Sequence, residues 1–107
     1  MKEEIISEIV SNLLENKNPL FVSDKVSYGE ILYELKENYE YVPLYNFHYT
    51  DSSDLDGLII DSYCFDLIVF YLPDTPVEKI KEFEKKINRK VYIINKWWLG
   101  GISFEEE

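Results

Sequence analysis

Residues 51 to 61 read DSSDLDGLIID, four aspartates in eleven positions with an apolar run at one end. Hard carboxylate oxygens at alternate positions suit a divalent cation such as Mg2+, because alternate residues of an extended strand face the same way. In that reading Asp54 and Asp56 form a pair and Asp66 supplies a third carboxylate, with Asp61 as its alternative. Two metal ions held there would activate and orient the reacting oxygens of phosphoryl or nucleotidyl transfer. The competing reading is a solvated loop, since Asp, Ser and Gly are ordinary loop residues. The sequence favours the loop, with LIID as the strand it feeds and no metal or other cofactor.

Ser53-Asp54-Leu55-Asp56 followed by apolar residues resembles the metal-binding segment of minimal nucleotidyltransferases. The resemblance implies Asp54 and Asp56 as metal ligands and Asp66 as the later carboxylate. It covers this short segment only. The glycine-serine turn of that family would fall at Val22-Ser23, without the glycine, and no basic residue stands nearby to meet a phosphate. The order of elements from residue 28 onward also resembles the core of the PD-(D/E)xK nuclease superfamily. That resemblance implies Glu30 or Glu34 as the first acid and Asp61 as the second. The third strand offers Asp66-Leu67-Ile68, with isoleucine where the lysine belongs. It therefore implies a degenerate, inactive nuclease-like fold.

Other chemistry-bearing residues lack companions. His48 is the only histidine and Cys64 the only cysteine, so zinc lacks its usual ligands and no internal disulfide can form. Cys64 borders an apolar run, where a thiol is expected to be buried and inert. Ser23-Asp24 and Ser62 have no triad partners, and Gly100-Gly101 opens no helix. The aromatic residues read as contact groups instead. Trp98, one of an adjacent pair, is expected to be exposed in part, because neighbouring strand residues point to opposite faces. Tyr41, Tyr45 and Tyr49 recur on one face of an expected edge strand.

These residues need elements to position them. EEIISEIVSNLLEN (3–16) spaces its apolar residues as one helical stripe, stopped by Asn18-Pro19. LFV (20–22) is a short strand candidate. Ser27-x-x-Glu30 reads as a capping box opening a helix over 28–38. EYVPLYNFHY alternates as a strand, and Pro43 assigns it to an edge or a bulge. CFDLIVFYLP is a continuous apolar run, the mark of a strand buried on both faces. Thr75-Pro76-Val77-Glu78 reads as a second capping box. Together these predict a single α/β (α+β) domain spanning 1–107. Its architecture is a two-layer sandwich with a mixed sheet of about four to five strands and three helices, including one βαβ unit (65–72, 76–87, 90–99).

Charge bounds the function. The chain of 107 residues is 46% hydrophobic, which excludes disorder, yet carries a net charge of −10 with Arg89 as its one arginine. Nucleic-acid affinity comes mainly from cationic groups on phosphates, so direct nucleic-acid binding and an anionic membrane are both excluded. No apolar run approaches a membrane span, and a cytoplasmic setting is expected. The composite expectation is a non-enzymatic acidic domain that binds a basic protein, itself a candidate nucleic-acid-binding protein. An inhibitor, an immunity protein or an anti-defence protein imitating nucleic acid would look like this. Its interface would comprise Trp98, Tyr41, Tyr45, Tyr49, Asp51, Asp54, Asp56, Glu105, Glu106 and Glu107. A homodimer through the edge strand is compatible with it.

Overall fold

The apolar stripe near the chain start forms α1 (Lys2–Leu14), with Ile5, Ile6, Ile9, Val10 and Leu13 buried and Glu3 and Glu4 in its first turn, where the helix dipole favours anions. In the computed structural model, which describes residues 2–51 and 54–96, it is followed by β1 (Pro19–Val22), α2 (Lys25–Asn38) and β2 (His48–Thr50). Then come α3 (Leu55–Asp61), a 3-10 turn (Ser62–Cys64), β3 (Leu67–Tyr71), α4 (Val77–Ile87) and β4 (Tyr92–Ile94). The residues 97–107, with Trp98 and Glu105 to Glu107, lie outside the described residues.

Local chemistry sets the helix ends. α1 stops before Asn18-Pro19 because Asn16 takes the left-handed conformation (φ 61°). Its N–H then reaches the Leu13 carbonyl (3.1 Å) and the Lys17 N–H reaches that of Asn12 (2.8 Å), the paired bonds of a Schellman stop. Asn88 (φ 55°) ends α4 the same way. α2 begins three residues before the expected 28–38 span. Its cap is Asp24, and Ser27 is the residue it holds rather than the cap itself. α4 begins at Val77 after Pro76, without the side-chain cap bond expected of Thr75.

The protein is an α/β fold with a four-stranded sheet in the order β2-β1-β3-β4, parallel throughout. The expected βαβ unit is present as β3-α4-β4. The sheet is not mixed, and the cause is one heptapeptide. LDGLIID, expected to reach a strand at LIID, is helix α3. A strand there would have returned the chain antiparallel, whereas a helix carries it across the sheet and delivers β3 parallel to β1. The long edge strand expected over 41–49 shrinks to His48–Thr50. Pro43 has no N–H to give a ladder, and the preceding residues close turns instead, Val42 on Tyr39 and Phe47 on Leu44.

Alternation along β1 and β3 divides the core. Phe21, Leu67, Val69 and Tyr71 meet the stripes of α1 and α2 on one face. Leu20, Val22, Ile68 and Phe70 meet Leu58 of α3 with Ile80 and Phe83 of α4 on the other. Helices therefore cover the sheet on both sides, which is why both central strands are buried along their whole length. From β1 the chain steps outward to β2 over one face, then returns past β1 to β3 and β4 over the other. The direction reverses between β1 and β3.

Candidate functional site

In open parallel α/β sheets ligands sit beyond the carboxyl ends of the strands where the winding reverses. Here that position is a crevice of about 290 Å3 lined by Val22, Ser23, Asp24, Asp51, Leu72, Pro73, Asp74 and Thr75. Leu72, just past β3, sits at φ 47°, a conformation that costs a branched residue free energy and clusters at functional sites. Its N–H is held by the Ile94 carbonyl at 2.6 Å. Ser23 is buried and donates to the Asp24 carbonyl (2.9 Å). Sequence reasoning set Ser23-Asp24 aside and missed Asp74. The usable signal was positional, acid or hydroxyl residues directly after buried strands.

Two of the nearby aspartates have local duties. Asp24 accepts the Ser27 N–H (2.8 Å) and the Ser27 hydroxyl (3.0 Å). The backbone bond from Ser27, opposed by slight burial, holds its carboxyl below the usual 3.8. Asp54 caps α3 through the Gly57 N–H (3.1 Å). A β-carbon on Gly57 would lie 2.7 Å from the Asp54 Oδ2, so a larger residue there would shift the capping carboxylate, as the same cap in α2, Asp24 on the Ser27 N–H, already allows. The opening motif is thus a helix start.

The expected metal set does not converge. Asp54 and Asp56 stand at the beginning of α3, at the carboxyl end of the sheet. Asp66 precedes β3 at the amino end, where it receives the Asn18 N–H (2.9 Å). α3 alone puts about 10 Å between the two ends, against about 4 Å between paired metal ions. Among the described residues no three His, Cys, Asp or Glu side chains are grouped to hold a metal. The nuclease comparison parts likewise, because Glu30 and Glu34 ride on α2 and Asp61 ends α3 on the opposite face.

The charge is unevenly laid out. Residues 51–74 contain six aspartates and no lysine or arginine. All six are exposed, along α3 and at both ends of the strands it joins. Residues 75–96 reverse the balance, with seven basic residues against three glutamates. A shallow groove of about 270 Å3 between α3 and α4 brings the two together, with Asp54 and Asp56 on one wall and Lys79 and Lys86 on the other. Arg89, the one arginine, is structural: its guanidinium donates to the carbonyls of Phe65 and Ser62, each at 2.5 Å.

The remaining candidates fall elsewhere. Tyr41 and Tyr45 are exposed on the segment that leads into β2, and Tyr49 is exposed within β2 itself. Tyr45 bonds Asn16, which lies toward the amino end of the sheet, away from Asp24, Asp51 and Asp74 at its carboxyl end. Tyr49 stacks on Tyr28 (4.5 Å), whose own hydroxyl is pushed up by burial and by Tyr49. His48 is exposed, its ring edge-on to Phe65 and 3.3 Å from the Asn18 amide oxygen. Cys64 is exposed rather than buried, because it belongs to the 3-10 turn and not to the strand. No family model matches the chain, nor does any curated protein or any solved structure.

Proposed function

We propose that the protein is a non-enzymatic binding domain whose aspartate face engages a basic protein in the cytoplasm. One observation carries this reading: six exposed aspartates in 51–74 with no basic residue among them. Such a face accelerates encounter with a cationic surface and repels nucleic acid. Two of the six have structural bonds, Asp54 to Gly57 and Asp66 to Asn18, and each still presents its charge to solvent. A partner that itself binds nucleic acid fits this face, which would occupy the cationic site that phosphates otherwise fill. Inhibitor, immunity and anti-defence roles share that chemistry. No helix among the described residues is long and apolar enough to cross a membrane.

Affinity capture from native extract at low and high salt, with kinetics on the purified partner, tests the proposal. The captured protein should be basic. Asp51→Lys, Asp56→Lys and Asp61→Lys together should lower its association rate about tenfold or more, with a smaller change in dissociation. A partner of neutral or acidic charge, or an association rate indifferent to both salt and charge reversal, refutes the reading.

A further inference from the structure

YVPLYNFHYT (41–50) is the longest stretch of the chain without Asp, Glu, Lys or Arg, and apart from Val42 and Phe47, which are buried, it is at least partly exposed. It ends in β2, an outer strand that pairs with β1 alone among the described residues. Natural sheets blunt such edges with charge, proline or bulges. Here Pro43 shortens the strand to His48–Thr50, and the segment carries no charge and displays Tyr41, Tyr45 and Tyr49 at 67%, 74% and 36% exposure. The segment is fixed in place. The Asn46 amide donates to the Asn16 side chain (2.9 Å), and the Tyr28 hydroxyl donates to the Phe47 carbonyl (2.5 Å).

The backbone pattern defines what can pair with it. Val22 is the register partner of Thr50, and the Ser23 N–H donates to the Thr50 carbonyl at 2.9 Å. In a parallel ladder each residue turns its N–H and C=O to one side, and the next residue turns them to the other. His48 and Thr50 therefore face β1, and Tyr49 presents both groups to the open side. We propose that Tyr49 lies on the two-fold axis of a homodimer in which β2 pairs antiparallel with β2 of a second copy. The Tyr49 N–H of each copy donates to the Tyr49 carbonyl of the other, the doubly bonded pair of an antiparallel ladder, with the two Cα atoms about 5.5 Å apart. The two sheets become one.

Charge selects a second copy as the occupant. Two chains of net charge −10 repel in most orientations, and they meet without opposed carboxylates at an uncharged face. A cationic protein gains nothing at this edge and is drawn to the aspartates instead. Antiparallel pairing also turns the carboxyl ends of the two sheets in opposite directions, which separates Asp24, Asp51 and Asp74 of one copy from those of the other. α3 packs against α4 on the other face of the sheet from Tyr28, on which Tyr49 stacks. The contact is isologous and closes at two copies.

This inference is independent of the binding role proposed above, and its test uses the purified chain alone. Sedimentation equilibrium over rising concentration is expected to show monomer passing to dimer and nothing larger. Tyr49→Lys and Tyr49→Glu each place like charges opposite one another across the axis. Each variant alone is expected to be monomeric while keeping the circular dichroism spectrum of the wild type. Mixed in equal amounts they are expected to restore the dimer, since an ammonium then faces a carboxylate, and mixing cannot repair a fold defect. A wild type that stays monomeric up to millimolar concentration overturns the proposal. Dimers that survive both substitutions, or a mixture that stays monomeric, overturn it as well.

Discussion

Removing the Asp24 carboxylate is expected to destabilise the protein by more than a helix cap is ordinarily worth. Replacing an N-cap aspartate by alanine costs about 1 kcal/mol for the lost backbone bond. Asp24 also accepts the hydroxyl of Ser27, a residue only 2% exposed. Asp24→Ala leaves that hydroxyl buried without its partner, which adds about 1–2 kcal/mol. The single variant should therefore lose about 2–3 kcal/mol. Ser27→Ala removes the hydroxyl while its N–H still reaches Asp24, and alanine favours the helix, so this variant should lose about 0.5 kcal/mol or nothing. The double variant has no orphaned hydroxyl and should lose only about 1 kcal/mol.

The cycle accordingly predicts coupling of about 1–2 kcal/mol, read by urea unfolding followed by circular dichroism. In thermal melts each kcal/mol corresponds to about 4–8 °C for a chain of this size. Losses that add to within about 0.5 kcal/mol would refute the shared-hydroxyl argument. The pH dependence supplies a second check. The Ser27 backbone bond depresses the folded pKa of Asp24 below 3.8. Its contribution is present above that pH and fades as pH falls through the lower folded value. Asp24→Asn keeps the acceptor and cannot titrate, so it should lack this acid limb.

Arg89→Ala frees the carbonyls of Ser62 and Phe65 and should cost about 1–2 kcal/mol, reduced from the usual value of charged bonds by the exposure of the guanidinium; Arg89→Lys, without the fork, should recover less than half in urea titrations. Asn88 ends α4 at φ 55°, so Asn88→Ala should lower stability by about 1 kcal/mol while Asn88→Gly equals or exceeds the wild type in thermal melts. The Tyr92 hydroxyl donates to Glu8, which with slight burial pushes its pKa up to about 12 from 10.0. That contribution is complete below pH 10 and is lost as pH rises toward 12, so Tyr92→Phe should flatten the alkaline limb of the stability profile.

What the sequence disclosed follows from which signals are strong. The stripe of α1 and the helix of the βαβ unit repeat a helical period over many residues, β3 stands in a continuous apolar run, and each lies where expected. β1 is only four residues long, all buried, so it offers no alternation to read, yet it is the centre of the sheet. α3 spans seven residues and two turns, too short for a helical period to separate from a strand's. The distinguishing feature was Asp54, an N-cap residue whose side chain accepts the N–H three residues on, as Asp24 does in α2. Exposure of Cys64 was hidden for a related reason, since the 3-10 turn is a consequence of where α3 ends.

That single heptapeptide also decides what the aspartates can do. As a strand, DSSDLDGLIID would have aligned Asp54 and Asp56 on one face and led directly into Asp66, the geometry that two metal ions require. As a helix it assigns Asp54 to the backbone of Gly57, turns Asp56 away along the first turn, and carries Asp61 and Asp66 to the other end of the sheet. The carboxylates are then too dispersed to share an ion, and their charges are exposed along α3 and at both ends of the sheet. Dispersed charge of one sign has little use for coordination and much for long-range attraction, which acts over about 8 Å at physiological salt. The choice between helix and strand at residues 55–61 is therefore the choice between a metal centre and an electrostatic surface. A variant that breaks this helix while preserving every carboxylate, Ile59→Pro, removes an interior N–H from α3 and should disorder it, weakening association with a basic partner through the lost arrangement of charge, with the net charge of −10 unchanged.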